Sequence, residues 1–212
     1  VIVIDSIGNL ASKKELEDAL NEKSVADMSR AKALKGLFRM VTPYLTMKDI
    51  PLIAVNHTYK EIGLFPKDIV GGGTGIYYSA DNIWIIGRRQ NKKGTEITGY
   101  DFVINVDKSR YVKEKSKIPI SVSWEGGVQS YSGLLDVALA GGYVTKPSAG
   151  WYSRVNQETG EVAEQKVREA QTLEESFWQP IFEETDFKEF IKKQYSIGHK
   201  ALVDPDTIVE AE

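Results

Sequence analysis

The decapeptide VIVIDSIGNL, Val1–Leu10, decides the predicted fold, because an unbroken apolar run ends there in a carboxylate. Such runs are typical of a buried strand in a parallel sheet, which helices cover on both faces. A second run, IPLIAVN at Ile50–Asn56, has the same character and also ends in a polar residue. We therefore expect two buried parallel strands, Val1–Asp5 and Ile50–Asn56, within an α/β fold.

A helix is predicted between these strands, as a parallel crossover requires. Ser24 has the sequence context of an N-cap, and Asp27 stands three residues later in the capping-box position. Apolar residues then recur at steps of three and four up to Leu45, which predicts one core-facing side. Pro43 is expected to end this helix or to kink its last turn.

The remaining sequence predicts a long loop, an antiparallel meander and a small C-terminal α/β region. His57–Gly75 is expected to be irregular, and a loop of this length in a compact domain is usually functional or disordered. The predicted elements that follow are strands at 82–89, 100–106 and 118–124, a helix at 130–140 stopped by Gly141-Gly142, a hairpin around 158–160, and helices at 172–182 and 186–197. We place the domain boundary between residues 145 and 146, which gives a core at 1–145 and a C-terminal region at 146–212.

Composition excludes several classes of protein. The 212 residues include no Cys and two His, so a disulfide framework and a structural zinc site are not expected. No run approaches the roughly 18 apolar residues of a membrane span, and no export signal is apparent, so a cytoplasmic protein is expected.

The two parts of the chain differ in charge: residues 1–117 carry 19 Lys+Arg and 14 Asp+Glu, whereas residues 118–212 carry 8 Lys+Arg and 16 Asp+Glu. This asymmetry indicates a basic working half and an acidic end, or two solvated surfaces of opposite sign.

Two polar pairs follow the predicted parallel strands, Asp5-Ser6 and Asn56-His57. The carboxyl ends of parallel strands share one edge of a sheet, where ligands of open α/β folds bind. An apolar strand that ends in Asp is the Walker B pattern, in which the carboxylate holds Mg²⁺ beside nucleotide phosphates. The alternatives are that Asp5 is a capping or loop residue and that His57 is an ordinary strand-end histidine.

Several strings, in this order and spacing, resemble the RecA-type recombinases, and in particular those of T-even-type bacteriophages. They are VIVIDSIGNLASKKELEDALNEK, IAVNHTY, GGGTGIYYSADNIWIIGRR, VDKSRYVKEKSK and SGLLDVAL followed by GWYSR. The resemblance implies a RecA-like ATPase core that uses ATP and Mg²⁺. It also implies a helical filament of the protein on single-stranded DNA, pairing with homologous duplex DNA and strand exchange in the bacterial host cytoplasm. A mediator and a single-strand-binding protein are the further partners expected.

The chain contains no G-x-x-x-x-G-K-[ST] phosphate loop, and GGGTG is followed by Ile76 rather than by Lys. Because this family carries the phosphate loop before the Walker B strand, the chain resembles the C-terminal part of a recombinase. We expect the parent to be a DNA-dependent ATPase and the 212-residue chain alone to be inactive. Two alternatives stay open, a non-catalytic fragment or accessory protein and another RecA-core ATPase such as a ring helicase.

The resemblance implies roles in nucleotide binding and hydrolysis for six residues. Asp5 matches the Walker B residue that holds Mg²⁺ through water, with Ser6 beside it. His57 stands at the position that senses the γ-phosphate. Lys108 and Arg110 match two cations that reach the ATP of the neighbouring subunit, and Trp124 matches a position near the nucleotide base.

The resemblance also implies two DNA-binding loops. Residues from Thr58 to about Gly72 match the second loop, where Lys60 and Lys67 are expected at phosphates and Tyr59 and Phe65 at bases. Gly71, Gly72 and Gly73 are expected to let backbone amides approach the strand. Residues 16–26 match the first loop loosely, with Arg30 and Lys32 on the helix behind it. For these two cations a solvated helix face is the alternative.

Overall fold

The computed structural model describes residues 1–21, 29–64, 66 and 68–198. These residues divide into two compact units, Val1–Ile83 and Trp84–Glu212. The predicted cap at Ser24 and Asp27 lies outside the described residues. The boundary between residues 145 and 146 stays a prediction.

The first unit is built around a parallel pair of short strands and one long helix. Strand β1 pairs with β2 in parallel, with Ile2 opposite Leu52. Leu34 and Phe38 lie one helical turn apart on α2 and are buried, because they pack with Ile7 and Ile76. The elements are β1 (Ile2–Ile4), α1 (Lys13–Leu20), α2 (Ser29–Met47), β2 (Leu52–Ala54), β3 (Thr58–Lys60), β4 (Asp68–Val70) and α3 (Thr74–Ser79).

The prediction that both parallel strands are fully buried is wrong for the described residues. Side chains alternate between the two faces of a sheet, and Ile4 and Leu52 pack against the helical core. Their neighbours Val3 and Ile53 are 61% and 56% exposed. Within the part of the chain that the structure describes, one face of this two-stranded sheet is therefore covered and the other is open.

Of the two effects expected of Pro43, ending helix α2 is excluded, because the helix continues to Met47. A kink in its last turn stays a prediction. Another prediction for this unit is wrong. The segment 57–75 is not irregular throughout. Strands β3 and β4 pair antiparallel with Thr58 opposite Val70, so the predicted loop is mostly a β-hairpin.

The second unit contains the predicted meander as a four-stranded sheet in the order β5-β6-β7-β8. β6 and β7 pair antiparallel from Gly99 opposite Ser123 to Asn105 opposite Lys117. The β5–β6 turn falls at residues 94–95, because the strands are longer than predicted. Their bounds are β5 (Asn82–Lys93), β6 (Glu96–Ser109), β7 (Lys117–Ser123) and β8 (Gly127–Val128).

Three helices pack against a small antiparallel sheet, in the order β11-β10-β9, with elements on both sides of the predicted boundary at residues 145–146. Trp178 and Phe187 are fully buried at its centre. The Tyr143 hydroxyl donates to Asp186 at 2.7 Å, and burial together with this carboxylate raises the pKa of Tyr143 to about 12. The elements, which overlap the predicted hairpin and helices with other bounds, are α4 (Leu134–Ala140), β9 (Val144–Ser148), β10 (Trp151–Arg154), β11 (Val167–Arg168), α5 (Glu175–Glu184) and α6 (Phe187–Tyr195).

Candidate functional site

Asp5 and Ser6 directly follow strand β1, and a short 3₁₀ turn at Ile7–Asn9 comes after them. The Asp5–Ser6 peptide bond is cis. Asp5 is exposed, whereas Ser6 is 5% exposed and its buried Oγ has no hydrogen-bond partner among the described residues. A carboxylate and an unsatisfied hydroxyl thus lie side by side at the carboxyl end of the strand, as the sequence predicts.

Gly8 brings the backbone of this turn against the imidazole of His57. A Cβ atom on Gly8 would lie 2.5 Å from Cδ2 of His57 and 3.5 Å from Oγ of Ser6. The first distance is far below a van der Waals contact, so any side chain at residue 8 would displace the ring. The structure therefore places the His57 ring against the turn that carries Ser6 and Gly8, about fifty residues earlier in the sequence.

Arg30 holds the same turn from the first turn of α2. Its Nη2 atom donates to the carbonyl oxygens of Ile7 at 3.0 Å and Gly8 at 2.7 Å. Its Nε atom is buried and has no partner among the described residues. The sequence predicts a DNA contact for Arg30, and in this structure the guanidinium bonds to the turn after Asp5. Lys32, the other cation predicted on this helix, is exposed.

The base of the β3–β4 hairpin is closed by three hydrogen bonds. Nδ2 of Asn56 donates to the Gly71 carbonyl at 2.7 Å, and the His57 amide donates to Oδ1 of Asn56 at 2.9 Å. The Gly71 amide donates to the His57 carbonyl at 2.9 Å. We call Asn56, His57 and Gly71 the hairpin base. It fixes the backbone of His57 and both ends of the hairpin in one network.

The hairpin carries cations and apolar side chains into solvent. Lys60 forms an ion pair with Asp68 across the two strands at 2.8 Å. Tyr59 is 56% exposed, and Ile62 and Leu64 near the tip are 103% and 95% exposed. Phe65 and Lys67, which the sequence assigns to DNA, lie outside the described residues.

The glycine run after β4 has a conformational role. Gly72 has φ +86°, and a Cβ there would overlap Cδ1 of Ile76. Gly73 also has a positive φ and precedes α3. Only glycine adopts such angles without strain, so these two residues turn the chain from the hairpin into the helix.

The remaining predicted residues belong to the second unit. Lys108 and Arg110 flank Ser109 at the end of β6, where the serine is 8% exposed. Trp124 follows β7 and is 65% exposed. Its ring centroid lies 5.9 Å from that of Tyr100, over which the guanidinium of Arg88 stacks at 4.7 Å.

The sequence is similar to known recombination proteins over its whole length. It is 54% identical to the Recombination and repair protein of Enterobacteria phage T4 over 216 aligned residues, which cover 100% of this chain and 54% of that protein. Residues 131–191 match the family described as Bacteriophage T4, Recombination and repair protein, C-terminal domain. The chain is similar to the recombination and repair protein UvsX of phage T4. The predicted resemblance is thereby confirmed.

More distant similarity extends to bacterial RecA. The chain is 26% identical to Protein RecA of Chloroherpeton thalassium over 76% of this chain and 45% of that protein. It is also 26% identical to Protein RecA of Tropheryma whipplei over 79% of this chain and 38% of that protein. The chain therefore spans about half the length, or less, of these curated relatives. Its mixed helices and sheets agree with an α/β RecA-like core.

Similarity to RecA implies the use of ATP and Mg²⁺ in general. At the end of β1, Asp5 supplies a carboxylate and Ser6 a buried hydroxyl with no partner among the described residues, and these are hard oxygen ligands that Mg²⁺ accepts directly or through water. The two residues therefore fit this ion. Among the described residues no cluster of three or more His, Cys, Asp or Glu could hold a metal ion.

Three contributors to the site were missed by reasoning from sequence. Gly8 shapes the surroundings of His57, while Ile62 and Leu64 extend the apolar surface of the hairpin. Asn56 was placed beside His57 at a strand end by the sequence, but its role in closing the hairpin was not predicted.

The described residues include no helix that is both long and apolar enough to cross a membrane.

Proposed function

We propose that this chain is the DNA-binding and nucleotide-sensing part of an ATP-dependent recombinase. The whole protein would form a filament on single-stranded DNA, pair it with a homologous duplex and exchange strands. It would act in the cytoplasm of the host bacterium, with a mediator and a single-strand-binding protein as partners. The proposal is supported by the similarity to the T4 protein along the whole of this chain and by the hydrogen-bonded hairpin base, whose His57 ring lies against the turn at Gly8.

The nucleotide side of the mechanism uses the edge formed by Asp5, Ser6 and His57. Mg²⁺ bound with ATP would neutralise charge on the transferring phosphoryl group, with Asp5 and Ser6 as its protein-side oxygen ligands. The His57 ring can donate a hydrogen bond to a γ-phosphate oxygen or orient the attacking water. Gly8 allows the ring to lie close to Ser6, and Arg30 fixes the turn that carries Gly8.

The hairpin base is the single observation that carries the proposal. A contact between His57 and the γ-phosphate restrains a residue whose amide and carbonyl groups already close the hairpin through Asn56 and Gly71. Such a contact distinguishes ATP from ADP, and only a differential contact can shift a conformational equilibrium. ATP binding would therefore favour one arrangement of the hairpin and raise its affinity for DNA.

The hairpin supplies both kinds of contact that single-stranded DNA needs. Tyr59, Ile62 and Leu64 expose apolar surface that can stack on or enter between bases. Lys60 can exchange its partner Asp68 for a phosphate at small cost, because exposed ion pairs contribute only about 0–1 kcal/mol. Lys67 and Phe65 are proposed to add to these contacts, and Gly71–Gly73 to permit close approach of the backbone.

Lys108 and Arg110 are proposed to act on the ATP of the next subunit in a filament. Cations that reach a phosphoryl group from a neighbour stabilise transition-state charge, which makes hydrolysis depend on assembly. Trp124 is proposed to lie near the nucleotide base, with Tyr100 and Arg88 packed behind it. The 212-residue chain alone is expected to hydrolyse no ATP, because its sequence contains no phosphate loop.

The test is strand exchange by the full-length polypeptide that carries this sequence. We expect ATP-dependent exchange between a circular single strand and a homologous linear duplex, and ATPase activity that single-stranded DNA stimulates. Replacing the duplex by a heterologous one is the matched control and is expected to give no product. DNA-independent ATPase activity without exchange would contradict the proposal and favour another RecA-core ATPase. Limited proteolysis of the 212-residue chain would test the boundary predicted near residue 145.

A further inference from the structure

The loop that follows β6, residues 110–116, is held by a dense set of local hydrogen bonds. Oγ of Ser109 accepts bonds from the amides of Tyr111 and Val112, both at 3.1 Å. The ammonium of Lys115 pairs with Asp107 at 3.0 Å. These contacts set the local shape of the loop, which contains Arg110 and begins two residues after Lys108.

A second set of bonds joins this loop to the end of α6, eighty residues later in the chain. The ammonium of Lys113 donates to the carbonyls of Gln194 at 2.8 Å and Lys193 at 3.3 Å. The Lys113 amide donates to the Tyr195 carbonyl at 2.8 Å, and Val112 forms a β-bridge with Ser196. The last carbonyls of a helix have no partner within it and carry partial negative charge, so a lysine there is favourable.

Helix α6 is a firm support for the loop because its other contacts lie in the core. Phe187 at its start is fully buried, and Phe190 and Ile191 pack against the same cluster around Trp178. Asp186, directly before the helix, accepts the hydrogen bond from Tyr143. Displacing the end of α6 therefore requires disturbing a packed core, whereas the loop has mainly polar contacts.

We propose that Lys113 is a positioning residue through which the C-terminal helix α6 sets the geometry of Lys108 and Arg110. This inference rests on the proposed function, in which those two cations act on a neighbouring subunit. Lys113 itself does not contact the nucleotide. It holds the loop at residues 110–116 in place, and the loop in turn positions Lys108 and Arg110. The C-terminal region thereby contributes to ATP hydrolysis without providing a catalytic residue.

The structural part is tested by hydrogen–deuterium exchange on the 212-residue chain. Lys113→Ala should speed amide exchange about fivefold in both the 109–116 and the 190–196 segments, because hydrogen bonds between them are lost. Lys193→Ala is the matched control, since it removes the same charge from the same helix end and leaves the acceptor carbonyl in place. Unchanged exchange in Lys113→Ala, or a rise in only one segment, would overturn the proposal.

The functional part is tested with the full-length recombinase. Lys113→Ala should lower the DNA-stimulated kcat about tenfold and leave KM for ATP unchanged, because misplaced cations weaken binding of the transition state only. Lys113→Arg, which keeps a donor cation, should restore most of kcat. If Lys108→Ala is inactive while Lys113→Ala has normal kcat, the positioning role is wrong and the proposed function stands. If Lys108→Ala is fully active, the proposed function of the pair fails, and the positioning role fails with it.

Discussion

Removing the side chain of Asn56 should weaken the coupling between nucleotide and DNA without removing any group that contacts either. Asn56→Ala deletes two bonds of the hairpin base, the donor bond to the Gly71 carbonyl at 2.7 Å and the acceptor bond from the His57 amide at 2.9 Å. A typical hydrogen bond contributes about 0.5–1.5 kcal/mol, so the loss amounts to about 1–3 kcal/mol. Allosteric coupling is commonly about 1–3 kcal/mol as well. The variant should therefore lose most of the coupling.

The assay is fluorescence anisotropy of labelled single-stranded DNA with the full-length protein at fixed salt. It compares the DNA dissociation constant with a non-hydrolysable ATP analogue and with ADP. Asn56→Ala should bring the ratio of these constants close to one while the affinity in ADP changes little. Asn91→Ala, which removes an exposed asparagine that bonds to Asp101, is the control and should keep the ratio. A wild-type ratio in Asn56→Ala would refute the role of the hairpin base.

Three further predictions concern the cations and the C-terminal core. Lys108→Ala and Arg110→Ala should each abolish DNA-stimulated ATPase activity and leave nucleotide binding intact. Mixing either variant with an Asp5→Ala protein should partly restore ATP turnover. Normal turnover by both variants alone would exclude action between subunits. Lys60→Ala should weaken DNA binding in both nucleotide states and reduce by about one the slope of the logarithm of the DNA-binding constant against the logarithm of salt concentration. An unchanged slope would show that Lys60 contacts no phosphate. Because burial raises the pKa of Tyr143 from 10.0 to about 12, its contribution to stability is complete below pH 10 and is lost as pH rises through 12. Urea unfolding at pH 9 to 12 should show most of this loss, about 2 kcal/mol by pH 12, in wild type and not in Tyr143→Phe.

Patterns of apolar residues were enough to predict much of the fold. The parallel pair and the crossover helix follow from unbroken runs and from steps of three and four, and α4 ends at Gly141 as expected. The hairpin at 57–75 escaped prediction because its strands are three residues long and largely exposed. No apolar alternation marks such strands, and their pairing depends on the hairpin base rather than on burial.

The sequence was enough to predict which residues belong to the site, but not most of the contacts that they make. Asp5, Ser6 and His57 follow from their positions at strand ends, which the topology brings to one edge. Arg30 did not follow, because a cation in a helix has the same pattern whether it faces DNA or bonds to a nearby carbonyl. The link from Lys113 to α6 spans eighty residues, and no local pattern records a contact of that range.

The central claim is that His57 couples the bound nucleotide, ATP or ADP, to the conformation of the hairpin. The ratio of the DNA affinities measured with an ATP analogue and with ADP tests this claim most directly. In the full-length protein, wild type should bind single-stranded DNA about 5–150-fold more tightly with an ATP analogue than with ADP, the range expected for a coupling of about 1–3 kcal/mol. His57→Ala should lose most of this ratio and keep the weak affinity of the ADP state, because Tyr59 and Lys60 are untouched. A His57→Ala protein that keeps the wild-type ratio would contradict the claim and leave His57 an ordinary residue at a strand end.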